Sequence, residues 1–285
     1  MKEGEAVILP KKFASYCTSG FKISPNLSVE SKLNFFAPSG KTLQKNTEFL
    51  VFENDNFQVF LDGCRLNQIH RDLLDIVLYF GDNSLENKIV DNKAVRLISL
   101  YLIQKKLNYK SLNNNSWIEK KFAEVQKTLI KILEKKSGDW IKFNIVEFSQ
   151  FSQKQQKYAI VFSDAFINFF ATEISFCYKD YLDDLIKLNP QSKAIARYLL
   201  ASSRNFQIGF ENLLLKVGIE KSNISKQAFS KIKKRVLEDE ENLKKLNIFF
   251  SKQKNLVNYK VLPKIKIFHP TTKKVNHFNS IGQPF

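Results

Sequence analysis

Cysteine, histidine and methionine are scarce in this chain, with three Cys, three His and one Met among 285 residues. Cys17, Cys64 and Cys177 lie far apart, are odd in number and form no CxxC pair. That pattern fits reduced, buried thiols better than a disulfide framework. No Cys/His cluster has zinc-ligand spacing, so no metal site is expected. No uncharged apolar run reaches the roughly 18 residues that a membrane span needs. Met1-Lys2-Glu3-Gly4-Glu5 leads into no apolar signal core, which predicts a cytoplasmic protein. Acids are also few: 28 Asp+Glu face 45 Lys+Arg, a formal net charge of +17. What is abundant is apolar, 44% of residues with 26 Phe, enough for packed cores and too much for global disorder. At roughly 100–200 residues per domain, the length predicts two modest domains.

A surplus of +17 points to a polyanionic partner, nucleic acid before anionic membrane. Arginine is the rarer cation, six residues (Arg65, Arg71, Arg96, Arg197, Arg204, Arg235) against 39 lysines. Lysine is a point charge suited to phosphate, whereas arginine forks read guanine edges. A chain rich in Asn, Ile and Phe fits an AT-rich genome, which by itself favours lysine at tolerant surface sites, so location must decide. Residues 251–285 carry seven lysines and no acid, and 216–235 carry six lysines and one arginine against Glu220 alone. Uniform drift does not cluster charge in this way.

Residues 1–45 read as a polar arm interrupted by Pro10, Gly20, Pro25, Pro38 and Gly40. Two short strands, 48–52 and 57–61, flank Asn54-Asp55-Asn56. A helix over 67–80 follows, with Ile69, Leu73, Leu74, Ile76, Val77 and Phe80 at helical spacing and Gly81 as its stop. The pattern predicts a second helix over 93–107. A third, 117–136, has Ser116 as cap and Glu119 completing a capping box. Its inner stripe is Ile118, Phe122, Val125, Leu129, Ile132 and Leu133, and Lys120, Lys127 and Lys131 face away. Strand-like runs at 140–148 and 158–162 close the first half. The second half replays the order. Asn189 and Pro190 open a helix over 191–201, a short strand falls at 206–208, and a helix over 210–217 ends at Gly218. Ser225 caps a helix over 226–246 with Phe229, Ile232, Val236 and Leu243 inward. Gln227, Ser230, Lys231 and Lys234 lie opposite, flanked by Lys226 and Arg235. Strands at 247–250, 259–262 and 265–268 follow, with Lys252 and Lys254 in the polar tip between the first two.

Helix, helix, basic helix and β-hairpin thus occur twice. That order is the winged helix, in which a recognition helix enters the major groove and the hairpin wing touches backbone. The expected fold is α+β, mainly helical, with two winged-helix domains in tandem at 46–163 and 164–272, and a basic tail at 273–285. The plainer alternative for both third helices is a solvated lysine face.

Three stretches carry a family likeness: 60–79 (FLDGCRLNQIHRDLLDIVLY), 164–200 with its aromatic run before NPQSKAIARYLL, and LLLKVGI at 213–219. The last continues through the basic helix ISKQAFSKIKKRVLEDE to paired strands ending at IKIFHP. In this order the chain resembles plasmid replication initiators of the tandem winged-helix, iteron-binding kind. The resemblance implies binding to repeated origin sites, local duplex opening, autorepression, a monomer–dimer equilibrium, and recruitment of host helicase and DnaA-type machinery. Carried onto this chain, it makes Lys226, Gln227, Ser230, Lys231 and Lys234 the groove-facing residues. Gln227 suits adenine, Ser230 several base edges, and the lysines phosphates. With Arg235 the sole arginine on that helix, AT-rich sites fit better than guanine readout.

Enzymatic fragments fail on inspection. Ser39-Gly40-Lys41-Thr42 ends like a P-loop, but its first glycine position is Phe35 and Pro38 removes a needed amide. His70-Arg71-Asp72-Leu73 echoes a kinase catalytic loop, yet Val77 stands where the metal-binding asparagine belongs, and helical spacing places Asp72 and Asp75 toward solvent. His70, His269 and His277 form no His-x-His pair, which excludes a nicking initiator. The adjacent Asp183-Asp184 reads as a solvated helix pair. The acidic run Glu238-Asp239-Glu240-Glu241 reads as a solvated turn pairing with Lys244 and Lys245, or as the point where the helix leaves the phosphates. No catalytic residue and no cofactor are expected. A winged-helix transcription regulator is one rival reading. A generic basic structural protein for nucleic acid or an anionic membrane is another, although the apolar stripes suit cores better than a bilayer.

Overall fold

In the computed structural model of the chain, the described residues are 35–39, 48–82, 95–109, 115–163, 165–166 and 178–263, less positions 54, 56 and 203, with short strands at 26–27, 43–44, 175–177 and 266–268. The first strands are β1 (Asn26–Leu27), β2 (Leu43–Gln44), the hairpin β3 (Phe49–Glu53) and β4 (Phe57–Asp62), and β5 (Cys64–Arg65). Gly63, between β4 and β5, has φ +111°, and a Cβ there would lie 3.0 Å from the Lys127 carbonyl oxygen. Only glycine meets both demands.

Helix α1 (Gln68–Phe80) starts at a reciprocal cap. Asn67 Oδ1 accepts the Ile69 N–H at 3.0 Å, and His70 Nδ1 accepts the Asn67 N–H at 3.0 Å. At its other end the Gly81 N–H reaches the Val77 carbonyl at 2.8 Å. There follow β6 (Val95–Ser99), α2 (Leu100–Lys106) and α3 (Asn115–Lys127). Two hairpins complete this half, β7 (Leu129–Glu134) with β8 (Trp140–Asn144), and β9 (Val146–Ser152) with β10 (Lys157–Phe162).

The second half holds β11 (Ser175–Cys177), α4 (Leu182–Lys187), α5 (Pro190–Leu200), β12 (Phe206–Gly209), α6 (Phe210–Lys216) and α7 (Lys226–Glu238). It ends with α8 (Glu240–Lys245), β13 (Ile248–Phe250), β14 (Leu256–Tyr259) and β15 (Lys266–Phe268). Asn189 caps α5 by accepting the Gln191 and Ser192 N–H groups at 3.1 and 3.0 Å. Gly218, at φ +80°, ends α6.

The fold is α+β, and one unit recurs. In each half a helix (α1, α5) is followed by a strand, two helices and a hairpin, with the short α8 added before the hairpin in the second half. The strand pairs with the hairpin's second strand, giving antiparallel sheets ordered β6-β10-β9 and β12-β14-β13. The first half carries an addition: β7 and β8 pair onto β4 as a sheet ordered β3-β4-β7-β8. A further sheet, β1-β11-β15, gathers segments from the start, middle and end of the chain.

Three predicted helices are revised. Residues 95–99 of the span 93–107 form β6, because Val95, Leu97 and Ile98 meet β10, and Ser99 Oγ then caps α2 through the Leu102 N–H at 3.2 Å. The helix expected over 117–136 stops at Lys127, and Ser116 lies inside its first turn rather than before it. Thr128 Oγ1 draws off the chain there, lying 2.7 Å from the Glu124 carbonyl and accepting the Cys64 N–H at 3.3 Å. Beyond it, Ile130 and Ile132 pair with Leu61 and Val59 of β4, a long-range partnership that overrides the helical period. The helix over 226–246 breaks at Asp239, whose Oδ2 accepts the Asn189 N–H at 2.8 Å. Within the expected polar arm, Phe35, Phe36 and Ala37 are buried, and the Ala37 N–H bonds the Leu66 carbonyl at 2.8 Å. The P-loop-like residues 40–42, the tail 273–285, Cys17, His269 and His277 lie outside the described residues.

Asp72 and Asp75 do not face solvent. They are 2% and 0% exposed, turned toward α5. Arg197, from α5, donates to Gln68 at 2.6 Å, to Asp72 at 2.7 Å and to Asp75 at 2.8 Å. Lys193, one turn earlier, pairs with the other oxygen of Asp72. Arg71 reaches Asp75 at 3.0 Å, and the Tyr178 hydroxyl donates to Asp75 at 3.1 Å. Burial alone would lower the Arg197 pKa, but Asp75 and Asp72 outweigh it and raise it. Burial likewise raises the Tyr178 phenol, so it stays a donor. Helices α1 and α5, which open the recurring unit in each half, are therefore joined by buried charge.

A second buried set lies beneath α3. His70 Nε2 and Lys121 Nζ both donate to Glu124 Oε2, at 2.7 and 2.6 Å. His70 Nδ1 lies 3.0 Å from the Asn67 N–H and 2.9 Å from Asn67 Oδ1, so Asn67 holds the ring on the side away from Glu124. Burial lowers its pKa, only partly opposed by Glu124. Burial would raise Glu124, yet the His70 and Lys121 bonds hold it at about 2.

Two outcomes are expected. Arg197→Met removes the cation shared by two buried carboxylates and leaves Asp72 to Lys193 and Asp75 to Arg71, so urea unfolding should register a loss of about 3 kcal/mol, and a loss below about 1 would refute the bridging role. His70 has a folded pKa below its unfolded value of about 6.5, so its stabilisation is present above that pH and lost as pH falls through it. Glu124, held at about 2, adds a further loss only below its ordinary 4.5. The urea midpoint should therefore decline between about pH 7 and pH 5, and His70→Gln should flatten that decline.

Candidate nucleic-acid interface

Helix α7 begins at Ser225, whose Oγ accepts the Ala228 N–H at 3.1 Å. Phe229 and Val236 anchor it inward, at 6% and 0% exposure. Lys226, Gln227, Ser230, Lys231, Lys234 and Arg235 are all exposed. At successive steps of one and three they make one continuous face, closed at its far end by Glu238. Every residue carried onto this helix from the sequence thus lies together on its outer side.

The turn between α6 and α7 is tied by Glu211. Its carboxylate meets Lys233 at 3.4 Å and Lys221 at 3.5 Å, and these lysines lower its pKa. Lys233 also lies 5.6 and 5.9 Å from the Phe210 and Phe229 ring centres. Lys233 is therefore occupied in packing α6 on α7, which fits its absence from the outer face. An open groove of about 620 Å³ runs beside the helix, lined by Lys226, Ser230, Lys233 and Lys234 together with Phe229 and Glu211.

In the hairpin β13–β14, Lys252 is exposed at the tip. Lys254 is half-buried and folds back along the hairpin, with its Nζ 2.5 Å from Glu240. The acidic run is consequently divided. Asp239 binds Asn189, Glu240 holds Lys254, and Glu241 pairs with Lys244 at 2.6 Å.

The first half carries less free charge. Lys120 and Lys127 are exposed on α3, with Glu119 beside them, whereas Lys121 is buried against Glu124. Lys131, expected on the same helical face, is on β7 instead. There it pairs with Glu48 at 3.2 Å and lies 5.3 and 6.0 Å from the Phe60 and Trp140 rings. The tip of β9–β10 adds exposed Lys154 and Lys157. The sequence pattern marks that tip only as polar, and its equivalence to the Lys252 tip is the signal that finds them.

Among the described residues, no group of three or more His, Cys, Asp or Glu side chains is placed to hold a metal ion, and no helix is long and apolar enough to cross a membrane.

No protein-family model and no curated protein matches the sequence. Solved structures do match in fold. Selenomethionine derivatives of domains 2 and 3 of RctB align with a TM-score of 0.54 at 10% identity, over 82% of this chain and 98% of that one. A second structure of RctB domains 2–3 aligns with a TM-score of 0.50 at 9% identity, over 81% of this chain and 94% of the other. The chain shares the fold of that two-domain piece.

Ser225→Ala removes the acceptor at the start of α7. Unfolding in urea should register about 1 kcal/mol of lost stability. An unchanged midpoint would mean that the helix start is held by something other than this cap.

Proposed function

We propose that this chain is a tandem winged-helix DNA-binding protein that initiates plasmid replication. It has one winged-helix domain over 46–163 and a second, the principal reader, over 164–272. It recognises repeated double-stranded origin sites and represses its own promoter. It acts without catalysing a reaction and without a cofactor, working with host helicase and DnaA-type machinery and passing between monomer and dimer.

The observation that carries this reading is the outer face of α7. Four lysines or arginines there (Lys226, Lys231, Lys234, Arg235) flank Gln227 and Ser230, the combination that fixes register on phosphates while reading base edges. Its setting supports the same reading, because α6 precedes it across the connection 217–225, which contains the 3-10 turn Lys221–Asn223, and a hairpin with an exposed lysine tip follows. The fold likeness to RctB domains 2 and 3 supports a replication-initiator fold, in agreement with the family resemblance of the sequence.

The test is fluorescence anisotropy at about 150 mM salt, comparing duplex DNA from directly upstream of the gene with shuffled DNA of equal composition. A preference of about 10³-fold or more, with laddered complexes, is the expected result. Equal, salt-sensitive binding to both duplexes would leave a generic polyanion-binding surface and defeat the proposal. Specific binding to a single operator without repeats would favour a transcription regulator. Lys231→Ala and Lys234→Ala should each weaken binding to both duplexes and reduce the salt slope by about one. Gln227→Ala should instead relax base preference at one position of the site.

A further inference from the structure

The hairpin lysine Lys254 is exposed enough to meet a ligand, yet it is engaged by an acid of its own chain. Its backbone has φ +55°, a left-handed position held by the turn around it. The Lys254 N–H bonds the Ser251 carbonyl at 2.9 Å, and the Leu256 N–H bonds Ser251 Oγ at 3.2 Å. This turn sends the side chain back to the first turn of α8. There Nζ lies 2.5 Å from both carboxylate oxygens of Glu240 and 5.9 Å from the Phe250 ring centre. Two oxygens of one anion around one ammonium reproduce how a phosphate would sit on this lysine.

We propose that Glu240 is an intramolecular stand-in for a DNA phosphate at Lys254, so that duplex binding proceeds by exchange of this ion pair. The inference rests on the DNA-binding reading above and adds a regulatory residue to it. Three observations favour exchange over a permanent bridge. The side chains are 39% and 20% exposed, so solvent and a phosphate both reach the pair. Glu240 has a second cation, Lys244 at 3.6 Å, and is not left alone when Lys254 departs. An ion pair this exposed is worth little, so one phosphate contact suffices to replace it. The pair also keeps Lys254 ordered in the unbound protein, which lowers the entropy lost when it engages a phosphate. Glu240 therefore acts on DNA through Lys254, as a positioning residue.

The experiment is a cycle of full-length variants, Glu240→Gln, Lys254→Ala and the double substitution, titrated onto upstream and shuffled duplexes across a salt series. Glu241→Gln, which alters a carboxylate 83% exposed on the same turn, is the charge control. Glu240→Gln should tighten binding to both duplexes by about two- to fivefold and steepen the salt slope by about one. In the Lys254→Ala background the same substitution should give no gain, and Glu241→Gln should give less than Glu240→Gln. Equal gains from both carboxylates, persisting without Lys254, would show only general relief of negative charge and overturn the proposal. Weaker binding by Glu240→Gln would show that the pair is a bridge needed in the complex, and would also overturn it. Absence of DNA binding by the unsubstituted protein would defeat the DNA-binding reading itself, and this inference with it.

Discussion

The fold depends on a small volume of buried charge where α1 meets α5. Asp72 and Asp75 leave water only because Arg197, Lys193 and Arg71 go with them, and Tyr178 and Gln68 add further hydrogen bonds. Such a cluster adds little net stability compared with an apolar contact of equal volume. What it imposes is uniqueness, since a slipped pairing of the two helices would leave charges buried without partners. Both acids come from α1, which supplies only Arg71 against them, and the remaining cations, Lys193 and Arg197, come from α5, so α1 cannot neutralise its buried carboxylates alone. The capping residues Asn67 and Asn189 set where these two helices begin, and through them the rotation that points the charged side chains at one another.

Much of this architecture is legible in the sequence. The caps at Asn189 and Ser225, the stops at Gly81 and Gly218, and the twofold recurrence of the unit follow from local chemistry, whereas the Asn67 cap, read as the first residue of its helix, depends on His70 turning back to it. What is not legible depends on partners distant in the chain. Leu129, Ile132 and Leu133 continue the helical stripe of α3 perfectly well, and only the free edge of β4, some seventy residues earlier, turns them into a strand. Lys131 moves off the basic helix for the same reason. Asp72 and Asp75 carry every local mark of a solvated helix face, and their burial follows from cations more than a hundred residues away.

The interface shows the same division. The outer face of α7 is recovered almost completely from helical periodicity, because an exposed helix answers mainly to its own sequence. The lysines around it do not all remain available. Lys233 packs α6 onto α7, Lys254 binds Glu240, and Lys121 is consumed beneath α3. A net charge of +17 therefore overstates the positive surface in some places and conceals its concentration on α7. Local pairing, more than the total, determines where a polyanion would settle.

The sheet formed by β1, β11 and β15 bears on how the molecule comes into being. Its strands lie at 26–27, 175–177 and 266–268, so its closure awaits the emergence of residues 266–268, long after the first strand has left the ribosome. Loops of that length carry an entropic cost with little local contact to offset it, and pairings of high contact order form late. Each repeated unit, by contrast, is assembled from neighbours. Synthesis would thus deliver two largely formed halves first, and the three-stranded seam would be among the last pieces of structure to set.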